Sequence, residues 1–425
     1  MSDTSAQERR RIQKLDPQSL KQHQLARFNQ LVDAILPRNQ FYAKKLSGVT
    51  LPLERLDQLS GIPFTFKEEV LHGSEAGGFA SNLTWDPQRY ARFHQTSGTR
   101  GRPMVVLDTD EDWQWWIDCW QYVLDSAQIT SDDRVLMAFS YGPFIGFWSA
   151  HDACLRRGCL VIPGGGLNTL ARLELARKST ASVMFCTPSY ALHMAEVAAE
   201  HQINVAELRV RTIIVAGEPG GSIPEIRQRI ETAWDARVVD HSGASEVGPW
   251  GQADDRREGI HVIESEFIPE FLSVENGKPA EEGQLAELVL TNLGRAGAPV
   301  IRYRTGDLVR PTWQHDRENR FVLLQGGILG RTDDMMVIRG VNIFPTAVEQ
   351  ILRSFPEVIE YRLTARKEGE MDQLSIEIED RLDQPQRVSE ELRLRLSLKV
   401  DVRTVPIGSL PRFDGKGKRF IDSRG

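Results

Sequence analysis

The sequence predicts an α/β protein: a large N-terminal domain of doubly wound sheets with helices, plus a small α+β C-terminal domain joined to it by a hinge. Three observations carry this expectation. Between Arg134 and Asp240 short apolar runs alternate with amphipathic stretches, which is the βαβ rhythm of a parallel sheet. The runs are followed by loops bearing glycine, proline and acidic residues, such as Gly217-Glu218-Pro219-Gly220-Gly221. After Gly330-Arg331-Thr332-Asp333-Asp334 the rhythm gives way to a short mixture of strand and helix signals. The expected division is therefore 1–332 and 333–425, with Asp333 in the hinge.

Composition bounds the function. A chain of 425 residues can bury two cores, and its apolar and charged fractions, 40% and 26%, are those of an ordinary globular protein. A net charge of -7 without a long basic run argues against a nucleic-acid partner. Arg9-Arg10-Arg11 reads as a solvated helix end. No apolar stretch approaches membrane-spanning length, and the N-terminus has no signal-peptide apolar core, so a cytoplasmic protein without a membrane partner is expected. Cys119, Cys154, Cys159 and Cys186 have neither metal-ligand nor disulfide spacing and read as reduced, buried thiols.

Along the chain, Leu20 to Leu36 carries Leu25, Phe28, Leu31, Val32 and Ile35 at helical spacing. Phe41–Leu46 and Pro63–Glu69 read as short helical or loop pieces. The stretch Gln95–Met104 packs Thr96, Ser97 and Thr99 with Gly98, Gly101, Arg100 and Arg102. Such a loop can wrap a polyphosphate, because glycines let backbone N–H groups converge while hydroxyls and guanidiniums add donors and charge. Its spacing is not that of a P-loop, and alone it equally suits a surface turn. Asp110 to Asp125 is a helix whose Trp113, Trp116 and Trp120 share one face, read as core packing without chemistry. Strands are expected at Val135–Phe139, Cys159–Ile162, Ser182–Cys186, Thr212–Ala216 and Ala236–Asp240, with helices at Leu170–Lys178, Ser189–Glu200 and Pro224–Trp234. Ligands of such sheets bind beyond the carboxyl ends of the strands. The loops there are Ser140–Phe144, Thr187–Ser189, Gly217–Gly221 and His241–Glu246. Mixed short strands follow over Phe267–Val309. In the small domain, Met335–Ile338, Val358–Thr364 and Leu374–Glu379 read as strands, Pro345–Arg353 and Ser389–Leu398 as helices. The chain closes on a glycine-flanked lysine loop, Leu410–Arg419.

Several of these motifs, in this order, resemble the adenylate-forming superfamily of acyl-CoA synthetases and luciferases, and within it the phenylacetate–CoA ligase family. The resemblance rests on Thr96–Pro103, Thr187-Pro188-Ser189-Tyr190, Gly217-Glu218-Pro219, Tyr303-Arg304-Thr305-Gly306-Asp307-Leu308, Gly330–Met335 with Arg339–Pro345, and Pro411–Lys416. It extends from about residue 35 to the end, and the early Phe41–Leu46 and Pro63–Glu69 pieces share it.

The resemblance implies an AMP-binding adenylation domain over 1–332 and a mobile domain carrying a catalytic lysine over 333–425. Thr96, Ser97, Gly98, Thr99 and Gly101 would cradle the β- and γ-phosphates of ATP. Gly217, Glu218 and Pro219 would lie against the adenine, with Asp240 accepting from its amino group. Ser245 would touch the α-phosphate, and Glu246 would help hold Mg²⁺. Asp307 would take both ribose hydroxyls, as a carboxylate with two acceptor oxygens can. Arg331 would contact ribose or phosphate, Asp333 would be the hinge, and Lys416 would reach the carboxylate and α-phosphate. The Arg339–Asn342 loop would line the thiol's entry. Bland readings compete: a turn cap for Asp307, a helix-start carboxylate for Glu246, a solvated lysine for Lys416, and a surface pair for Arg331 with Asp333.

The chain departs from the family pattern at Ser242, where a tyrosine usually stacks on adenine and where His241 could substitute. It departs also at Arg100, in place of a second threonine, and at Met104, in place of a lysine. No cysteine lies between Thr312 and Leu329, so no zinc is expected. The implied reaction is adenylation of a carboxylate by Mg·ATP, then transfer of the acyl group to CoA. The alternatives are transfer to an acyl carrier protein, and a non-catalytic nucleotide-binding protein. The family's tendency to dimerise allows a homodimer. For the acid, Phe139, Tyr141 and Phe144 would form an aromatic wall facing Gly243 and Ala244, with His241 or Tyr141 able to hydrogen-bond a ring hydroxyl or amine. An aryl or arylacetic acid is the expected substrate, with an aliphatic acid as the competing reading.

Overall fold

The computed structural model describes residues 5–75, 78–96, 103–313, 317–332, 336–338, 341–368, 371–396, 400–412 and 419–424. Ser97, Gly98, Thr99, Arg100, Gly101 and Arg102 of the glycine loop, Asp333, Arg339 and Lys416 lie outside the described residues.

The N-terminal helices are α1 (Ala6–Gln13), α2 (Pro17–Ile35), α3 (Gln40–Lys45) and α4 (Lys67–Glu75). Helix α2 starts where Asp16 accepts from the N–H groups of Gln18 and Ser19, with Pro17 in the first turn. The hairpin of β1 (Arg92–Gln95) and β2 (Val105–Asp108) brackets the glycine loop, and α5 (Asp110–Ser126) follows under a Thr109–Asp112 capping box. Next come β3 (Arg134–Met137), α6 (Ile145–Arg157), β4 (Leu160–Pro163), α7 (Thr169–Ser179), β5 (Val183–Cys186) and α8 (Pro188–Glu200). Then come β6 (Thr212–Val215), α9 (Pro224–Trp234), β7 (Arg237–Ala244), β8 (Gly248–Gln252) and β9 (Gly259–Val262). Strands β10 (Phe267–Ser273), β11 (Ala286–Asn292), β12 (Tyr303–Val309), β13 (Pro311–Thr312), β14 (Leu323–Gln325) and β15 (Gly330–Arg331) complete the large part.

One nine-stranded sheet, ordered β13-β14-β9-β8-β7-β6-β5-β3-β4, organises this part. It is parallel from β4 to β7 and antiparallel from β7 to β13. The chain steps outward from β3 to β4 and then returns to the other side of β3 as β5, so a topological switch point lies between β3 and β5. Strands β5 and β6 are buried along their whole length, as expected of a sheet covered on both faces. One face, with Val135, Phe185 and Val239, packs on α5 and α6. The other, with Leu136, Met184 and Val238, packs on α7, α8 and α9. A second sheet, β10-β11-β12-β15, is antiparallel throughout.

The C-terminal residues form β16 (Met336–Ile338), β17 (Val341–Ile343), α10 (Pro345–Arg353), β18 (Val358–Glu368), β19 (Met371–Asp380), α11 (Pro385–Leu396), β20 (Asp401–Thr404) and β21 (Phe420–Ser423). Their sheet runs β20-β19-β18-β21 and has its own core around Val348, Leu363, Ile376 and Leu392. Helix α10 packs beside α9, and between the two parts lies a polar cleft lined by His193, Glu196 and Arg229 on one side and Arg353, Glu360 and Arg412 on the other.

Two expectations need correction. Arg9 is not solvated: it is 5% exposed, donates from Nε to Asp125 Oδ2 at 2.7 Å and lies over the Tyr122 ring, tying α1 to α5. Residues 9 and 12 fall three apart on one helical face, so Arg9 shares the inward side with Ile12 while Arg11 pairs with Glu8 outside. Strand β7 also runs on through His241 to Ala244 instead of ending at Asp240, because β8 folds back to pair with it, with a register shift between Ser242 and Ala244.

Candidate active site

A cavity of about 450 Å³ opens at the carboxyl ends of β3, β5, β6 and β7, beside the switch point. Its aromatic wall comes from Trp116 and Trp120 of α5, Phe139 and Phe144 around the β3 loop, and Phe185 of β5. Ala216, Gly217, Gly243, Ala244 and Ser245 are its small lining residues. The structure thus brings Phe139, Phe144, Gly243, Ala244, Gly217, His241 and Ser245 to one space. Tyr141 does not join them: its ring packs on Trp148 at 4.8 Å and on His151 at 6.0 Å. Trp116 and Trp120 were not assigned to the site by sequence, since helical spacing marks an inward face without saying whether a cavity meets it.

The alternation along β7 sends successive side chains to opposite faces of the sheet. Asp240 faces α9, where its Oδ2 accepts from Ser222 Oγ at 2.6 Å. Gly221 sits so close that a Cβ there would fall 2.5 Å from Asp240 Cγ, which demands glycine. Burial pushes the Asp240 carboxyl up to about 6. His241 faces α5, with its ring 4.0 Å from the Trp120 ring and Nδ1 2.7 Å from the Gly251 carbonyl oxygen. A carbonyl only accepts, so Nδ1 carries the proton. Burial pushes the imidazole down to about 4, leaving it neutral.

That shift has a consequence for stability. A histidine depressed from its usual value near 6.5 stabilises the fold above about pH 6.5 and loses that contribution as the pH falls toward 4. The stability gap between wild type and His241→Phe should narrow by up to about 3 kcal/mol between pH 6.5 and 4. Thermal melts of both proteins across that range check it, and a constant gap refutes it.

The loop residues are held from outside. Glu218 Oε1 accepts from the Ser189 N–H at 2.7 Å, fixing the Gly217–Pro219 turn to the start of α8. The Tyr303 hydroxyl donates to Glu246 Oε1 at 2.9 Å. Asp307 pairs with Arg331 at 3.0 Å across the β12–β15 register. Arg295, fully buried, donates from Nε to Asp108 Oδ1 at 2.7 Å and from Nη1 to the Ser245 carbonyl at 2.9 Å. It joins the end of the β1–β2 hairpin to the loop of Ser245 and Glu246. Burial pushes the Asp108 carboxyl up to about 6, with Arg295 opposing the rise. No local sequence signal marks Arg295, because its partner lies 187 residues away.

Comparison with known proteins agrees with this architecture. Residues 340–424 match the family described as AMP-binding enzyme C-terminal domain. The chain is 30% identical over 424 residues to the phenylacetate-coenzyme A ligase of Pseudomonas putida, covering 96% of this chain and 94% of the relative. It is 32% identical to that of Escherichia coli strain K12, over 87% and 86% of the two chains. Among solved structures, 2-hydroxyisobutyryl-CoA ligase in the postadenylation state superposes with a TM-score of 0.91 at 24% identity, covering 97% of this chain and 92% of the other. The same enzyme with 2-HIB-AMP and CoA in the thioesterification state gives 0.74 at 25% identity, covering 99% and 94%.

The fold is that of an adenylate-forming enzyme. The chain belongs to the phenylacetate–CoA ligase family. It is an AMP-forming acid–CoA ligase, joining a carboxylate to CoA through an acyl-adenylate made from ATP. The reading as a non-catalytic nucleotide-binding protein, raised by Ser242, is therefore set aside. Among the described residues, no helix is long and apolar enough to cross a membrane.

Proposed function

We propose that the acid is aryl or arylacetic, and the observation that carries this is the aromatic wall of the cavity. Five aromatic side chains together with glycine and alanine residues line it, a lining that suits a flat ring. The curated relatives' names, phenylacetate-coenzyme A ligase, point the same way. The test is ATP–pyrophosphate exchange across benzoates, arylacetates and fatty acids. Aromatic acids should support exchange at higher kcat/KM than aliphatic ones, and medium-chain fatty acids outcompeting them would overturn the reading. Thioester formation is expected with CoA and not with a phosphopantetheinylated carrier protein, measured side by side.

The residue roles form part of the same proposal. Chemistry requires attack of the carboxylate on the α-phosphorus, departure of pyrophosphate, and then attack of the thiol on the mixed anhydride. Protein groups contribute charge stabilisation and positioning, with no covalent enzyme intermediate. Asp240, on the α9 face of β7, and the Gly217–Pro219 turn would receive the adenine. Asp307 would take the ribose hydroxyls with Arg331 beside it, and Thr96 and Ser97 to Gly101 would wrap the outer phosphates. A single carboxylate, Glu246, oriented by Tyr303, suits Mg²⁺, which is commonly held by one or two carboxylates together with substrate phosphates. When bound, the ion would supply charge neutralisation at the phosphates. The boundary at 332/333, with Asp333 as hinge, would let the small domain turn between the two half-reactions.

A further inference from the structure

Resting on the aryl reading, we infer that the ring of the acid carries a neutral hydrogen-bond donor, a hydroxyl or amino group, received by His241 Nε2. The indole protons of the cavity wall are already spent. Trp120 Nε1 gives its proton to Ser149 Oγ at 2.8 Å, and Ser149 Oγ in turn reaches the Gly146 carbonyl oxygen at 3.2 Å. Trp116 Nε1 is spent on Asp108 Oδ1 at 3.2 Å. Each of these donors already has a protein acceptor.

His241 is the opposite case. The Gly251 carbonyl fixes the proton on Nδ1, so Nε2 presents a lone pair. That nitrogen has no hydrogen-bond partner among the described residues, although the side chain is 5% exposed and lines the cavity. Its direction is given by Gly243, another lining residue, where a Cβ would lie 3.5 Å from Nε2. Contact with Trp120 on one side holds the ring in place. Burial keeps the imidazole neutral, so it cannot donate from Nε2. A lone pair at this point repels a carboxylate, which places the acid's charged end away from His241. A ring carrying only C–H at this position leaves the buried acceptor unsatisfied, and a site built for a donor discriminates strongly against the analogue that lacks it.

The experiment compares matched acids in ATP–pyrophosphate exchange with the full-length enzyme: benzoate against its hydroxy and amino isomers, and phenylacetate against its hydroxy and amino isomers. At least one hydroxy or amino isomer should exceed its unsubstituted parent in kcat/KM by about 10–100-fold, mainly through KM. In His241→Phe the ratio should fall to near one, and in His241→Gln, whose Oε1 can stand where Nε2 stood, part of it should return. Wild-type enzyme showing no preference for any donor-bearing isomer overturns the inference while leaving the aryl reading intact. Absence of exchange with every aromatic acid overturns the aryl reading itself. A preference that persists unchanged in His241→Phe shows that another group reads the substituent, and also overturns the assignment. The wild-type comparison decides the substrate class even where a variant fails to fold.

Discussion

Replacing Lys416 by alanine is expected to cut ATP–pyrophosphate exchange by about 10²–10³-fold, the scale for removing one preorganised charge donor from a transition state. Thioester formation from supplied acyl-adenylate should fall far less if Lys416 serves the adenylation step alone, as the family resemblance implies. The two half-reactions must therefore be measured separately, by exchange and by single-turnover transfer to CoA. Equal losses in both would show that Lys416 acts on binding or folding and not on adenylation. A small loss in both would return the residue to its bland reading as a solvated lysine.

Replacing Arg295 by methionine should lower stability by about 3–5 kcal/mol, the usual cost of stripping one partner from a buried ion pair. The pair is an extreme case, since both side chains are fully buried. Arg295 also lies over the Trp116 ring and holds the Ser245 carbonyl, so its loss frees a cavity wall and a loop at once. Exchange activity should drop along with the melting temperature. The double variant Arg295→Met/Asp108→Leu should recover much of the stability, because no charge is then left unpaired, but not the activity, because the Ser245 loop stays unanchored. A loss below about 1 kcal/mol in the single variant would place the pair with ordinary surface bridges.

These two residues also show what the sequence could tell. Lys416 drew a role from the sequence because a lysine between glycines, near the end of a chain with several other motifs in order, resembles a known loop; the half-reaction measurements test that role. Arg295 was not legible, because an ion pair closing over so long a separation leaves no periodicity or spacing to read. The βαβ alternation placed β3 to β6 and α7 to α9 to within a residue or two, and Pro224–Trp234 and Pro345–Arg353 match as read, whereas β7 runs four residues past Asp240 and α6 was not read. Proline at the first helical turn fixes such starts locally. Trp116 and Trp120 were read as inward-facing and are, yet whether an inward face meets packed side chains or a cavity depends on the facing elements. Tyr141 was placed in the wall by its neighbours in sequence, whereas the turn after β3 directs its ring to Trp148. Arg9 was misread because charge outweighed helical position, and Asp125 on α5 supplied a partner that only the fold brings near.

Strand β7 carries Asp240 toward α9 and His241 toward α5, one residue apart. Under the proposed roles, adjacent letters of the sequence would answer to different molecules, the nucleotide on one side and the acid on the other. A lineage can retune its acid by exchanging the odd position and leave its dependence on ATP untouched. Directed evolution for new acids should accordingly collect changes at 241 and at Trp120, which it touches, while 240 stays fixed.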